Sequence, residues 1–532
     1  MRSAWSTPLI VLGLTVTALF RESICSAQAP PTPREREITE ILRSIEEHDL
    51  EKARLQLNEA AKRYRVDEVF ANLQGVVEAQ QGNYLAAEAS FRTAITKAPK
   101  FTGAYLNLGR LYQEHVANDQ LALSKAIDVY SRLLVYEPAN AEANYQSAAL
   151  LLRHGKYQES LDHISRLPAD YGSNAQTLSI QCADYAGLGE RDRAGQAAAR
   201  LVSSSDFSEP DAQQALLGLL PGKRDDLVVS VLESLEKRQQ LGAELLQVLG
   251  LAYERTSRLT EARATLENSF AKGEPSVDLL WNLARIAHQQ NDYQGALGYL
   301  AHGRDLQPRN ASLHYYFGLV CIDLNLIAEA RNSFEKAVQI EPENAEYNYA
   351  MGAASAFQHD PAEAVPYFEK YLRLKPQDPR GKLALGAAFF RAKDYEHAIP
   401  WLTESISVPL TATRAHYYLA KIALFEGQLD KALSELQQAL TAKPDFPDAL
   451  AEMGKYYITR RDYPEADKWL QHALAVAPDH YTANFYLLTL YTVTKDGRQE
   501  AQAKRFAELR KLMDERSQEF LRIVDVRPFE SQ

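Results

Sequence analysis

Two Ser-x-x-Lys sequences, Ser234 to Lys237 and Ser333 to Lys336, are the nearest this chain comes to a nucleophile with an adjacent base. In acyl-transfer enzymes a lysine at this spacing can take the proton of the serine hydroxyl. Both sequences fall in segments with the apolar periodicity of a second helix, and neither has an accompanying catalytic motif. We therefore interpret the four residues as ordinary exposed positions on helices.

Other catalytic and metal-binding patterns are missing from the sequence. There is no glycine-rich phosphate loop, no His-Glu-x-x-His, no Cys-x-x-Cys and no nucleophile elbow. His314 and His416 occupy equivalent positions of different repeats, too far apart to share a metal. Cys182 and Cys321 are predicted to be small buried residues. We expect no catalytic residues, no metal site and no cofactor, so the chain is predicted not to be an enzyme.

Charge and composition narrow the class of partner. The 532 residues carry a formal net charge of -11, and 46% of them are hydrophobic. A nucleic-acid-binding protein usually presents a basic domain that neutralises phosphates. The acidic balance therefore argues against nucleic acid as a partner and leaves proteins as the expected one.

The N-terminus has the pattern of a secretory leader. Arg2 precedes an apolar run from Leu9 to Phe20, which is followed by small residues. We predict a signal peptide over 1–27 and a proline-rich spacer over 28–33. The run is short for a membrane span, and no later segment is longer, so no stable span is expected after cleavage. A periplasmic location is favoured, with secretion or an uncleaved N-terminal anchor as the alternatives.

The helical segments that carry the residues considered above follow a pattern that repeats every 34 residues. Units begin at residues 34, 68, 102, 141, 175, 209, 243, 277, 311, 345, 379, 413, 447 and 481. The single interval of 39 reflects about five extra residues between Glu114 and Gln120. A fixed period of this length is typical of a solenoid.

Each unit carries the same small and large residues. Position eight is small, as in Gly318, and position twenty is Ala, as in Ala330, so we expect these two to touch between the helices. Large apolar residues such as Phe334 stand at position twenty-four. A proline at position thirty-two, such as Pro342, ends the hairpin because it cannot donate a backbone hydrogen bond.

This pattern resembles the tetratricopeptide repeat over residues 34 to 514. The resemblance implies an all-α, right-handed superhelical solenoid of about fourteen helix-turn-helix units, with first helices on the concave wall. Pentatricopeptide repeats are similar in length, but they bind RNA, which the acidic charge disfavours. A hairpin of this size leaves both sides apolar, and stacking on neighbours removes that surface from water.

Residues 141–276 keep the period but lose the terminal prolines. In the sixth unit Leu216 and Val228 replace small residues, which predicts a splayed hairpin and either a hinge or ordinary drift. We divide the array into 34–242 and 243–514. After Arg498 a polar helix is expected to cap the last unit through Phe506, Leu509 and Met513, and residues 515–532 form its end and a tail.

The surface offered to partners is expected to lie on the first helices. Position five supplies a ladder that could either bind a partner or pack the hairpins, since aromatic residues serve both purposes. Positions two and nine add a mild basic bias. The predicted partner-binding residues are Trp281, Tyr315, Tyr349, Leu383, Tyr417, Arg285, Arg380, Arg414, Lys421 and Lys455.

The function expected from these observations is a non-enzymatic protein–protein interaction scaffold of the cell envelope or exterior. It would bind an extended protein segment in the concave groove, and an acidic segment would suit the basic bias. The alternative is a structural part of an envelope secretion or polysaccharide-export assembly, with sugar rings stacked on the aromatic residues. The sequence leaves the partner's identity and the oligomeric state open.

Overall fold

The chain is described by a computed structural model over residues 32–64, 67–115, 120–357 and 361–512, and within these residues every regular element is a helix. The chain forms two compact units, one ending at Thr265 and the other beginning at Leu266. The sequence had placed the division at 242/243. No helix within the described ranges combines the length and the apolar character needed to cross a membrane.

The described helices pair into fourteen consecutive hairpins, each made of an odd-numbered first helix and an even-numbered second helix. The helices that begin in the first compact unit are α1 (Pro33–Glu46), α2 (Leu50–Arg63), α3 (Glu68–Gln80), α4 (Tyr84–Lys97), α5 (Thr102–His115), α6 (Gln120–Tyr136), α7 (Ala141–Arg153), α8 (Tyr157–Ile164), α9 (Ala175–Gly187), α10 (Arg191–Ser203), α11 (Glu209–Leu219), α12 (Asp225–Glu236), α13 (Ala243–Arg255) and α14 (Leu259–Lys272). The helices of the second are α15 (Val277–Gln289), α16 (Tyr293–Leu306), α17 (Ala311–Asp323), α18 (Ile327–Ile340), α19 (Ala345–Phe357), α20 (Val365–Leu374), α21 (Pro379–Arg391), α22 (Tyr395–Ser405), α23 (Pro409–Phe425), α24 (Leu429–Ala442), α25 (Pro447–Thr459), α26 (Tyr463–Val476), α27 (Tyr481–Thr494) and α28 (Gln499–Leu512). Short 3₁₀ helices cover Ala169–Ser173 and Pro361–Ala364.

The predicted register is confirmed, because first helices begin at the first position of the repeat. α3, α15 and α17 begin at Glu68, Val277 and Ala311. α23 departs from the rule and begins four residues early at Pro409, where the missing N–H of proline costs nothing in the first turn. The insertion in the third hairpin lengthens α6 to 17 residues, against 14 for α4. Residues 116–119 of the insertion lie outside the described chain.

The small residue at position eight makes room for the side chain at position twenty-four. A Cβ built on Gly318 would lie 2.5 Å from Phe334 Cε1, and one on Gly454 would lie 2.4 Å from Leu470 Cγ. Ala330 is fully buried. Its expected contact with Gly318 stays a prediction, and the Phe334 ring provides a contact across the two helices that the prediction did not include.

Every turn between paired helices that the structure describes contains one left-handed residue, always at position fifteen. Glycine occupies it in four hairpins, at Gly82, Gly155, Gly189 and Gly427. The other eight hairpins place a larger residue there, with φ between 51° and 63°: His48, Lys223, Ser257, Asn291, Asn325, Lys393, Arg461 and Lys495. A side chain in this conformation is strained by about 1 kcal/mol relative to glycine.

Consecutive hairpins are joined by a hydrogen bond from position four of one first helix to the proline that ends the preceding hairpin. Asn348 Nδ2 donates to the Pro342 carbonyl at 2.8 Å, and His314 Nε2 lies 2.9 Å from the Pro308 carbonyl. The same bond forms in three further pairs: Tyr105 with Pro99, Asn144 with Pro138, and Asn484 with Pro478. His314 thus has a structural role, as its lack of metal-binding partners in the sequence indicated.

The sixth hairpin is splayed, as its bulky residues predicted. α11 packs more closely against α9 of the preceding hairpin than against its own partner α12. The glycine of this hairpin is Gly218, two positions after the usual small residue, and a Cβ there would lie 1.9 Å from the Ala183 carbonyl oxygen. The close approach therefore faces the preceding hairpin instead of the hairpin's own second helix. A hinge in this region stays a prediction.

The ends of the described chain close the helical stack. Thr32 and Glu35 form a capping box at the start of α1. α28 is the second helix of the fourteenth hairpin, with Leu509 buried and the Phe506 ring 4.8 Å from that of Tyr481. The predicted leader 1–27, most of the 28–33 spacer, Met513 and the segment 515–532 lie outside the described residues.

Candidate partner-binding face

The first helices of the second compact unit lie side by side and share a surface, which we call the first-helix face. α19, α21, α23, α25 and α27 contact one another in sequence. The Trp281 ring of α15 lies 4.0 Å from the Tyr316 ring of α17. These contacts define which side chains a partner lying across the hairpins could reach.

Most of the side chains predicted to bind a partner from position five of the repeat point into the protein. Tyr315, Tyr349, Leu383 and Tyr417 are 3%, 3%, 5% and 2% exposed. The prediction that these side chains stand ready on the surface is therefore corrected: they pack the hairpins. Trp281 is half-buried and keeps part of its ring at the surface.

The packing role of Tyr315 is visible in its neighbours. Its ring centroid lies 4.9 Å from that of Tyr347 and 5.8 Å from that of Phe334. Its hydroxyl is buried without a hydrogen-bond partner. Burial raises the pKa of this hydroxyl, because the ionised form would lose its hydration. A partner cannot reach this residue while the hairpins are packed.

Arg380 is also held inside the array. Its side chain is 11% exposed, with Nη2 donating to the Tyr371 hydroxyl at 2.8 Å and to Asp378 Oδ2 at 2.6 Å. The guanidinium carbon lies 5.4 Å from the centre of the Tyr349 ring. The guanidinium thus links the second helix of one hairpin to the first helix of the next, and it is not the surface cation that the sequence suggested.

Lys421 and Lys455 behave differently, because they share one buried carboxylate. Their Nζ atoms lie 3.8 Å from Oε1 and Oε2 of Glu452, which is 1% exposed. Tyr486 donates to the same carboxylate at 3.2 Å. Lys421 Nζ also donates to the Tyr417 hydroxyl at 3.1 Å, so the two half-buried lysines belong to one polar cluster on the first-helix face. Glu452 and Tyr486 were absent from the predicted set.

The remaining predicted cations lie nearer the surface. Arg285 is exposed, and its Nη2 donates to Asn282 Oδ1 at 3.0 Å. Arg414 is half-buried on α23. Tyr316, at position six, joins Trp281 on the accessible part of the face. An aromatic residue at position six recurs in Tyr418 and Tyr486, but Tyr418 is buried, so the repetition alone does not identify Tyr316 as a surface residue.

A second cluster missed by the sequence lies at the turns of hairpins eleven and twelve, and we call it the Phe425 patch. It consists of Phe390, Tyr395 and Phe425. The Phe425 ring lies 5.1 Å from that of Tyr395, which lies 5.7 Å from that of Phe390. Phe425 is 71% exposed.

The residues considered for catalysis have ordinary structural partners. Ser234 Oγ donates to the Val202 carbonyl at 3.5 Å. Ser333, which was predicted to be exposed, is instead buried beside Arg304, because it faces the neighbouring hairpin. Cys182 and Cys321 are buried, as predicted, and burial raises the thiol pKa of Cys182 to about 12. Within the described chain no group of three potential His, Cys, Asp or Glu ligands is close enough to hold a metal.

The architecture defines a helical-repeat protein built from stacked hairpins. Models of the tetratricopeptide repeat match residues 45–112, 119–175, 248–311, 311–344, 349–409 and 423–488. The chain belongs to the tetratricopeptide repeat family, as the sequence pattern predicted. Proteins of this family generally act as non-enzymatic scaffolds that bind other proteins.

Solved structures with similar folds include the hetero-tetramer Cut9–Hcn1 of the APC/C, with 15% identity, a TM-score of 0.36, and 86% of this chain and 96% of that chain covered. Yeast Tom70 has 15% identity, a TM-score of 0.35 and coverages of 88% and 95%. A tetratricopeptide repeat protein from Parabacteroides merdae has 16% identity, a TM-score of 0.36 and coverages of 47% and 98%. These likenesses concern the fold alone. No curated protein sequence matches the chain.

Proposed function

We propose that this chain is a non-enzymatic scaffold that holds an extended protein segment on its first-helix face. The observation that carries the proposal is the row of adjacent first helices bearing Lys421 and Lys455, whose side chains are 20% and 39% exposed, around the buried Glu452. A segment with acidic side chains would gain charge-assisted hydrogen bonds there. The Trp281 and Tyr316 rings add rigid contact area at small entropic cost.

The location of this scaffold is part of the proposal. The apolar run from Leu9 to Phe20 and the small residues after it support export to the cell envelope or exterior. N-terminal sequencing of the mature protein should then begin at Gln28. A mature protein that retains Met1 and sediments with membranes would instead identify the run as an anchor.

Cross-linking in cells followed by mass spectrometry tests where the partner sits. Partner peptides should cross-link to Lys421 and Lys455, and much less to Lys431, which is exposed on the second helix α24. The double variant Lys421→Gln/Lys455→Gln should lose partner capture about tenfold, a loss typical of interface charges, whereas Lys431→Gln should retain it. Equal capture by both variants would contradict the proposal.

A titration separates a protein ligand from a glycan ligand. Acidic peptides should bind the wild-type chain with an affinity that falls as salt is raised, because the attraction is ionic. Binding of neutral oligosaccharides that is insensitive to salt and is lost in Trp281→Ala would support the export-assembly alternative instead.

A further inference from the structure

Arg304 is an arginine at a repeat position that is apolar in most other units. It lies at position twenty-eight of the eighth unit, on the second helix α16. One unit earlier the ring of Phe270, at the same position, contacts the ring of His302 in the following hairpin. Arg304 therefore places a cation between two hairpins, where the rest of the array places large apolar residues: Ile95, Val202, Phe270, Val338, Leu372, Ile406, Leu440 and Leu474.

The Arg304 guanidinium has no carboxylate partner. The side chain is half-buried, its guanidinium carbon lies 3.5 Å from the centre of the Phe317 ring, and Nη1 donates to Ser333 Oγ at 3.5 Å. Among the described residues it forms no ion pair, and Asp305, the next residue, is exposed. Burial lowers the pKa of this guanidinium, because the cation loses hydration that no bound anion replaces.

Arg380 shows how the chain otherwise accommodates an arginine between hairpins. Burial acts against the charge of Arg380 too, but the hydrogen bond to Asp378 outweighs it and raises the pKa of the guanidinium. A buried or half-buried guanidinium normally requires an anion of this kind. At Arg304 the described chain does not supply one, so the geometry leaves room for an anion from outside.

A second cation lies beside Arg304. Lys336 is exposed on α18, at position twenty-six of the ninth unit, and it forms no ion pair within the described residues. Arg304 and Lys336 occupy the positions that Phe270 and His302 occupy one hairpin earlier, where the ring centroids are 5.8 Å apart. The pKa of the His314 imidazole is lowered by burial and also by the charges of Arg304 and Lys336, so both cations lie near it. The two side chains can therefore reach one ligand.

We propose that Arg304 and Lys336 bind a phosphate dianion, either free or as a monoester, between the second helices of the eighth and ninth hairpins. A phosphate monoester carries about two negative charges at pH 7 and so matches the two cations, whereas a carboxylate would neutralise only one. The guanidinium fork and the ammonium group can donate to different oxygens of the same phosphate. Ser333 orients the guanidinium through its Oγ atom. The site shares no residue with the first-helix face and does not depend on the scaffold proposal.

Isothermal titration calorimetry of the full chain with inorganic phosphate and with O-phosphoserine, at constant ionic strength in chloride buffer, tests the proposal. Saturable binding to one site is expected. Arg304→Leu should weaken it about tenfold or more, and Lys336→Gln about tenfold. Lys431→Gln is the matched control, because Lys431 is exposed on α24 away from the site, and it should bind as the wild type does.

A melting curve without phosphate keeps the test independent of misfolding. Leucine already occupies this position in Leu372 and Leu440, so Arg304→Leu should fold and should melt at the wild-type temperature or above it.

The outcomes separate binding from packing. Phosphoserine binding as tight as that of inorganic phosphate would support a monoester ligand, and binding of inorganic phosphate alone would support a free ion. Equal phosphate affinity in the wild type and Arg304→Leu, or equal affinity of the wild type for succinate, would overturn the inference. No saturable binding to the wild type would overturn it as well, and earlier melting of Arg304→Leu would then assign Arg304 to packing on the Phe317 ring. The scaffold proposal would stand in each case.

Discussion

The Phe334 ring occupies the space that a side chain at position 318 would need, because a Cβ on Gly318 would come within 2.5 Å of Phe334 Cε1. Both residues are central to the ninth hairpin, where Phe334 is fully buried. The close contact explains why a small residue recurs at position eight, and it makes the requirement testable.

Replacing Gly318 with Ala should destabilise the second compact unit by about 1–3 kcal/mol, since the added methyl group displaces a packed ring. Gly298 is the matched control: it lies within α16, and a Cβ there would meet nothing within 4 Å. Gly298→Ala should stabilise the chain by about 0.5–1 kcal/mol through helix propensity. Urea denaturation measures both effects, and a neutral Gly318→Ala would contradict the packing described.

Substitutions at Tyr315 should distinguish the contribution of the ring to stability from that of its hydroxyl. Tyr315→Phe should be neutral or stabilising by up to about 1 kcal/mol, because it removes a buried hydroxyl that has no partner. Tyr315→Ala should cost about 3–5 kcal/mol through the cavity it leaves. Thermal denaturation of the two variants tests this difference. A destabilising Tyr315→Phe would mean that the hydroxyl is bonded in solution.

Replacing Arg461 with glycine should stabilise the folded chain, because a φ of 62° is unfavourable for a residue that carries a side chain. Arg461→Gly is expected to stabilise the thirteenth hairpin by about 1 kcal/mol. The reciprocal change Gly427→Ala, at φ 75° in the neighbouring turn, should cost a similar amount. If the two changes shift the unfolding midpoint in the same direction, conformation at position fifteen does not control the turn.

Asp184 should make the first compact unit less stable as pH rises. The side chain is fully buried in α9, neither oxygen has a hydrogen-bond partner, and the nearby Ser160 donates to the Ala148 carbonyl. Burial raises the pKa of the Asp184 carboxyl to about 8. The folded chain therefore holds a proton that the unfolded chain releases near pH 4, so stability falls by up to about 1.4 kcal/mol for each pH unit between these values.

The substitution Asp184→Asn should remove this dependence. Its advantage over the wild type should be small at pH 5 and should grow until about pH 8, as measured by urea denaturation at several pH values. Asp192→Asn, on α10, is the control, and its unfolding should follow the wild-type pH profile. An advantage of Asp184→Asn that is constant with pH would mean that the wild-type carboxyl is already ionised at pH 5.

The sequence predicted the architecture because its period reflects packing directly. For the two helices of a hairpin to meet, a small residue such as Gly318 must face a large one such as Phe334. The spacing of these residues therefore located the helix starts. The same pattern could not decide whether Tyr349 faces the groove or the core, because both roles select an aromatic ring at a fixed interval. Burial decides between them, and it depends on neighbours 34 residues away.

Other features of the structure left weaker signals in the sequence. The left-handed residue at position fifteen is Gly82 in one hairpin but Arg461 in another, so residue type alone did not reveal the turn. The Phe425 patch joins the ends of two first helices and the start of one second helix, and no single repeat position contains it. The residue types around Asp184 did not indicate that this side chain is fully buried.

The bond between Asn348 and the Pro342 carbonyl has a consequence for shortened forms of the chain. The acceptor belongs to the end of one hairpin, and its donor lies six residues later, in the first turn of the next. Removal of a hairpin from the C-terminal side therefore deprives the preceding hairpin of the donor for its terminal carbonyl.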